Sequence, residues 1–149
     1  MLGTVLTGRN NIFTVEIGPA ETDTLETGPG EGGSARYLCR LRGKTLALEE
    51  RAYNPLAPGD LVRLAGAEPA NRTAVITGRE PRRNAFQRYN HKREALQTLG
   101  ANLDLVVAVM SVSQPAFRRR FVDRVLALVE YHGIPAAVLV TKADLEPEA

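Results

Sequence analysis

The tetrapeptide Thr141-Lys142-Ala143-Asp144 holds the residues best suited to specific chemistry in this chain. An ionised carboxylate at Asp144 can accept hydrogen bonds from the ring N–H and the exocyclic amino group of guanine, a two-point match that adenine does not offer. The aliphatic stem of Lys142 can lie along the base while its ammonium stays solvated. A site built on paired hydrogen bonds rejects the analogue that lacks them by a large factor, so the pattern points to guanine over adenine. The competing account is that Asp144 caps a following helix and Lys142 is merely solvated.

Position supports the first account. Leu105 to Met110 is an uninterrupted apolar run of strand length, suited to a strand buried on both faces of a parallel sheet. The spacing predicts a helix next, with Ser113 or Gln114 as cap and Pro115 in the first turn. Phe117, Phe121, Val122, Val125, Leu128 and Val129 share one face, and Arg118, Arg119, Arg120 and Arg124 project from the rest. Gly133 is the expected left-handed stop, and Ala136 to Val140 is a second apolar run. This is a βαβ crossover with parallel strands, and the tetrapeptide begins at the carboxyl end of the second, where open α/β sheets bind ligands.

The chain upstream reads differently. Gly3 to Thr7 and Ile12 to Ile17 flank the turn-rich Gly8-Arg-Asn-Asn11, a hairpin pattern. Pro19 to Gly33 is too polar to pack. It contains Gly28-Pro-Gly30-Glu-Gly-Gly33, a formal dinucleotide fingerprint that lacks the preceding strand and following helix, and Glu31 would repel a pyrophosphate. Arg36, Arg40, Arg42 and Lys44 alternate with Tyr37, Cys39 and Leu41, which sets a basic stripe on one face of an extended strand; an ordinary solvated face is the bland alternative. Further short strands are expected at Thr45 to Leu48, Leu61 to Leu64 and Thr73 to Thr77. Short strands punctuated by Gly and Pro, without helical period before residue 80, indicate a small barrel over residues 1–80, with the OB-fold as the natural candidate.

Residues 81–101 then read as a basic linker. Arg79, Arg82, Arg83, Arg88, Lys92 and Arg93 are interleaved with Phe86 and Tyr89, a combination in which cations neutralise phosphates and rings stack on exposed bases of RNA. The two rings could equally pin the linker to the barrel. Glu94 to Leu99 is expected to form a helical turn stopped by Gly100.

Composition sets bounds. A 149-residue chain with 44% hydrophobic residues suffices for one ordinary domain or two small ones, and with aromatics at 5% the cores must be aliphatic. Cys39 is the single cysteine and His91 and His132 the only histidines, which excludes an internal disulfide and argues against a four-ligand structural zinc site. The single cysteine fits a reducing cytoplasm; no signal-peptide pattern opens the chain and no apolar run approaches membrane length. The net charge of +2 hides an asymmetry, acidic between Glu16 and Glu31 and basic later.

Asn102-Leu103-Asp104, the apolar strand, the arginine-bearing helix and the strand ending in Lys-x-Asp together resemble the circularly permuted GTPases, in which the guanine-specificity motif precedes the phosphate-binding loop. Within that group, Cys39-Arg-Leu-Arg-Gly-Lys44, Pro58-Gly-Asp-Leu-Val62 and Pro81-Arg-Arg-Asn84 are similar to the ribosome-small-subunit-dependent GTPase A (RsgA) family. The resemblance implies an OB-fold barrel followed by the first βαβ unit of an incomplete permuted P-loop GTPase domain over residues 102–149. It assigns guanine binding to Thr141, Lys142 and Asp144. The family usually has Asn at the first of these positions, so Thr141 weakens one hydrogen bond without abolishing the site.

No G-x-x-x-x-G-K-[ST] occurs in this chain, so nothing in it can cradle the β and γ phosphates or hold magnesium, and it carries no catalytic residue of its own. The resemblance therefore implies a monomeric parent protein that hydrolyses GTP with Mg²⁺, binds the small ribosomal subunit and its RNA during late maturation, and carries zinc in a domain downstream. A non-enzymatic OB-fold RNA-binding module with a βαβ interaction tail is the alternative. An α/β enzyme of other chemistry at the same loop is a third.

Overall fold

The computed structural model describes residues 1–18, 33–42 and 54–145. It divides after Asn102 into two units, Met1–Asn102 and Leu103–Ala149. Most of the polar loop expected from Pro19, the strand expected at Thr45 to Leu48, and Lys44 lie outside the described residues.

In the first unit, β1 (Leu2–Arg9), β2 (Ile12–Ile17), β3 (Ala35–Leu41), β4 (Leu61–Glu68) and β5 (Thr73–Arg79) form a closed barrel in the order β1-β2-β3-β5-β4. The first hairpin turns on Asn10 and Asn11, with φ of 52° and 62°. A two-residue turn needs two left-handed residues to match strand twist, and asparagine tolerates that region. All pairings are antiparallel except β3 with β5, and β1 with β4 closes the ring. Period-two alternation sends Val5, Phe13, Val15, Ile17, Tyr37, Cys39, Val62, Leu64, Ala74 and Ile76 inward, where they form the core with Leu56. The core is mostly aliphatic, as the composition requires. Arg36, Leu38 and Arg40 alternate outward on β3, so the basic stripe has the expected register.

Residues 81–101 do not form a plain linker. They carry an antiparallel hairpin of β6 (Ala85–Asn90) and β7 (Ala95–Ala101). Where a helical turn is expected over Glu94 to Leu99, Glu94 closes the hairpin turn and the residues from Ala95 are strand. Local propensity there is overridden from 44 residues away: the Asn54 carboxamide donates to the Thr98 carbonyl at 2.9 Å and accepts from the Thr98 N–H at 3.0 Å, as a neighbouring strand would. A second tie joins the Ala101 N–H to the Pro58 carbonyl at 2.9 Å. Gly59 makes that crossing possible. Its φ is +87°, and a Cβ there would lie 2.0 Å from the Ala101 carbonyl oxygen.

In the second unit, β8 (Val106–Ser111) and β9 (Ala136–Thr141) pair in parallel, and the helix between them, α1, spans Arg119–Tyr131. The helix begins later than expected. Neither Ser113 nor Gln114 caps it, because the Ser111 hydroxyl donates to the Pro115 carbonyl at 2.8 Å and Gln114 sits at φ +53°, so residues 112–116 turn back first. Arg118 is the N-cap and offers no side-chain bond. The far end follows the sequence. Gly133 has φ +62°, and its N–H bonds the Glu130 carbonyl while the Ile134 N–H bonds Val129, a Schellman stop. Val122, Val129, Ile134, Ala108 and Met110 are buried. The opposite face of the sheet is open among the described residues, with Val107, Val109 and Leu139 all 44–54% exposed.

Candidate functional site

The apolar run of β9 ends at Thr141, which faces Ser111 across the parallel pair. The Thr141 hydroxyl donates to the Met110 carbonyl at 3.2 Å, and the Val112 N–H returns to the Thr141 carbonyl at 3.1 Å. These bonds fix where the chain leaves the sheet. Lys142 then turns it sharply at φ +57°, and its carbonyl accepts from the Leu145 N–H at 3.1 Å, which closes the 3₁₀ turn Ala143–Leu145. The Lys142 ammonium donates to the Gln114 carbonyl, so the 112–116 turn props the lysine from the side. Asp144 is exposed on the 3₁₀ turn, and among the described residues nothing bonds or pairs its carboxylate.

The three candidate guanine-binding residues thus differ. Asp144 presents a free acceptor pair, Lys142 is braced beside it, and Thr141 uses its hydroxyl within the sheet. The Thr141 donor is thus spent on the sheet, and its hydroxyl retains acceptor capacity. Gln114 and Ser111 were not legible as parts of this site, because their contributions pass through backbone carbonyls that no side-chain pattern marks.

The basic residues also separate. Arg82 lies inside the first unit, with its side chain 9% exposed against an Asp60 side chain at 0%. Its Nε and Nη2 meet the two Asp60 oxygens at 2.7 and 2.8 Å, and Nη1 reaches the Thr98 hydroxyl at 3.3 Å. Asp60 also accepts from the Ala57 N–H at 2.8 Å, and Gln87 donates to Thr98 at 3.1 Å. Every buried side-chain polar atom described has a partner. This network fastens the β6–β7 hairpin to the barrel, and Arg82 is withdrawn from any surface role. The sequence signal that could have found it is Asp60, an acid directly before a core strand with an arginine 22 positions on.

The remaining cations are mostly exposed. Arg36 pairs loosely with Glu16 at 3.5 Å, and Arg42 follows it at the end of the same strand face. Arg40 borders a shallow groove of about 340 Å³ floored by Ile12, Leu38 and Val75. Arg79 is half-buried, and Arg83 bonds the Asn102 carbonyl at 3.0 Å. Arg88 clasps Gln97 across the hairpin at 3.1 and 3.2 Å. Lys92 and Arg93 stand in the exposed hairpin turn beside Tyr89, whose ring meets His91 edge-on at 5.0 Å. Tyr89 is 51% exposed and Phe86 is half-buried, so the two rings do not share one role.

Among the described residues no cluster of His, Cys, Asp and Glu could hold a metal ion, and no helix is long and apolar enough to cross a membrane. Burial pushes the Cys39 thiol up from 9.0 to about 11, against a smaller opposing pull from the Ala74 backbone, so the thiol stays protonated and unreactive.

Residues 79–149 match the sequence model of the RsgA GTPase family. The chain is 36% identical over 140 residues to the small ribosomal subunit biogenesis GTPase RsgA of Borrelia recurrentis, covering 94% of this chain and 40% of that protein. It is 33% identical over 134 residues to the protein of the same name from Chlorobaculum parvum, covering 85% and 42%. The crystal structure of YloQ, described as a circularly permuted GTPase, superposes with a TM-score of 0.60 at 24% identity over 97% of this chain and 41% of that one. The chain spans about 40% of the length of these relatives and lacks the phosphate-binding loop. In sequence it matches the RsgA family of GTPases, and in structure it is an OB-like barrel followed by part of a circularly permuted GTPase fold.

Proposed function

We propose that the intact protein is a cytoplasmic, monomeric GTPase that binds the small ribosomal subunit late in its maturation and hydrolyses GTP to GDP and phosphate. In this reading residues 1–102 form the RNA-facing unit and the following residues the guanine-specifying start of the GTPase domain. The observation that carries it is the free Asp144 carboxylate beside a braced Lys142 at the carboxyl end of a parallel strand. Asp144 accepts the ring N–H and the amino group of guanine, Lys142 lies along the base, and Thr141 holds the loop to the sheet. GTP phosphates and Mg²⁺ bind residues outside this chain, and zinc belongs to a further domain; the present residues select the base.

The open apolar face of Val107, Val109 and Leu139 supports this assignment, because a completed GTPase domain would cover it. Arg36, Arg40 and Arg42 on the barrel, with Lys44 beyond them, and Arg79, Arg83, Arg88, Lys92 and Arg93 on and around the hairpin supply the cations for ribosomal RNA.

Exchanging Asp144 for Asn in the intact protein replaces an acceptor with a donor opposite the guanine amino group. GDP affinity should fall by roughly a hundredfold or more, and xanthosine diphosphate should become the better ligand. An unchanged preference, measured by competition titration, removes Asp144 from the role. The closed barrel with its basic stripe also supports a second reading, a non-enzymatic RNA-binding module. Titration of the wild-type protein with GDP and ADP separates the two, since the module responds to neither.

A further inference from the structure

We infer that Arg118, Arg119, Arg120, Arg124 and Phe121, at the start of α1, form a second contact surface for the RNA of the small ribosomal subunit, distinct from the barrel and hairpin; this rests on the function proposed above. The five residues line one open concavity of about 490 Å³, and all are exposed, Phe121 at 49%.

The charges do not serve the helix. Its first turn contains no acidic residue and its N-cap makes no side-chain bond, so the cations sit at the end where the helix dipole disfavours them. The ion pair at this end, Arg119 with Asp123, spans 3.9 Å between side chains 88% and 63% exposed, and such pairs contribute little. Arg120 and Arg124 lie one turn apart on the same face, so their mutual repulsion is also uncompensated.

An arrangement unfavourable to the isolated helix is suited to an extended polyanion. Guanidinium forks engage phosphates in bidentate fashion, and a half-exposed phenyl ring among them offers a stacking face for an unpaired base. A lipid surface fits poorly. A basic amphipathic helix enters a membrane through its apolar face, and here Val122 and Val129 on that face are buried within the unit.

The test uses the intact protein and purified small ribosomal subunits, titrated at about 0.15 M salt and above. The double variant Arg120→Gln with Arg124→Gln should bind about tenfold more weakly, and the slope of log affinity against log salt should become shallower by about 1.5 to 2. Its GDP affinity and thermal midpoint should not fall, since glutamine is a good helix former. Arg120→Lys with Arg124→Lys should retain the wild-type slope. Screening within about 8 Å at this ionic strength keeps the altered net charge from producing the effect at a distance. Unchanged affinity overturns the inference. Weaker binding with an unchanged slope also overturns it and assigns the surface to a ribosomal protein. A wild-type protein that ignores the subunit overturns the functional reading itself, an outcome distinct from wild-type binding that the glutamine variant leaves intact.

Discussion

The two units solve the problem of apolar surface in opposite ways. The barrel closes on itself: five strands leave no free edge, and every inward residue from Val5 to Ile76 finds cover within Met1–Asn102. The βαβ unit covers only one face, with α1 over Ala108 and Met110 while Val107 and Val109 of the same strand remain exposed. A strand whose sequence suits burial on both faces is here buried on one. The barrel encloses its own core, whereas the second unit leaves Val107, Val109 and Leu139 on an open apolar face among the described residues.

The sharpest way to break this contrast is through the tie inside the first unit. Arg82→Met orphans the Asp60 carboxylate, and breaking a buried pair in this way costs about 3–5 kcal/mol. Urea unfolding followed by near-UV absorbance of the tyrosines should show it. Adding Asp60→Asn should recover part of the loss, because the buried charge is gone while the Ala57 N–H keeps an acceptor. If Arg82→Met is neutral, the hairpin is not held by this network.

A second pair of substitutions compares the cores directly. Ile76→Ala empties a fully buried site and should lower stability by about 2–5 kcal/mol in any length of chain. Val109→Ala, at 54% exposure, should cost under about 0.5 kcal/mol in residues 1–149 and clearly more in the intact protein. Equal effects in the two lengths would show that the open face stays open.

A further difference is a pH dependence confined to the barrel. The Cys39 thiol titrates at about 11 when folded against 9.0 as its ordinary value. Its folded-state value is raised, so the unfolded chain loses its proton first, and stability falls as pH rises from 9 toward 11. The loss at pH 10 is on the order of 1 kcal/mol. Cys39→Ala should flatten the profile of the first unit between pH 8 and 10 while leaving nucleotide binding untouched.

How much was legible follows from the range of the forces involved. The barrel strands could be read because their alternation is a local, period-two signal, and Gly133 because its left-handed turn is local too. The Thr141 to Asp144 loop could be placed because an apolar run shows where a strand ends. The hairpin was missed because Glu94 to Leu99 has good helix formers and is held extended by Asn54, far away in sequence. Arg82 was counted with the surface cations for the same reason, its partner lying 22 residues back. The start of α1 was misplaced by a contest between neighbours: Ser113 and Gln114 looked like caps, and Ser111 had already folded the chain onto Pro115.

The Asn54 clamp has a consequence for chemical ageing. Its carboxamide nitrogen donates to both the Leu56 and Thr98 carbonyls at 2.9 Å. Deamidation would replace that donor with an anionic oxygen facing two carbonyl oxygens, and the hairpin would lose one of its fastenings. The usual route to deamidation requires the next backbone nitrogen to attack the carboxamide and close a succinimide ring. The next residue is Pro55, whose nitrogen carries no hydrogen and cannot act as that nucleophile. The side chain that stands in for a strand is therefore followed by the one residue that shields it from this spontaneous decay, and the clamp should outlast asparagines followed by ordinary residues as the protein ages.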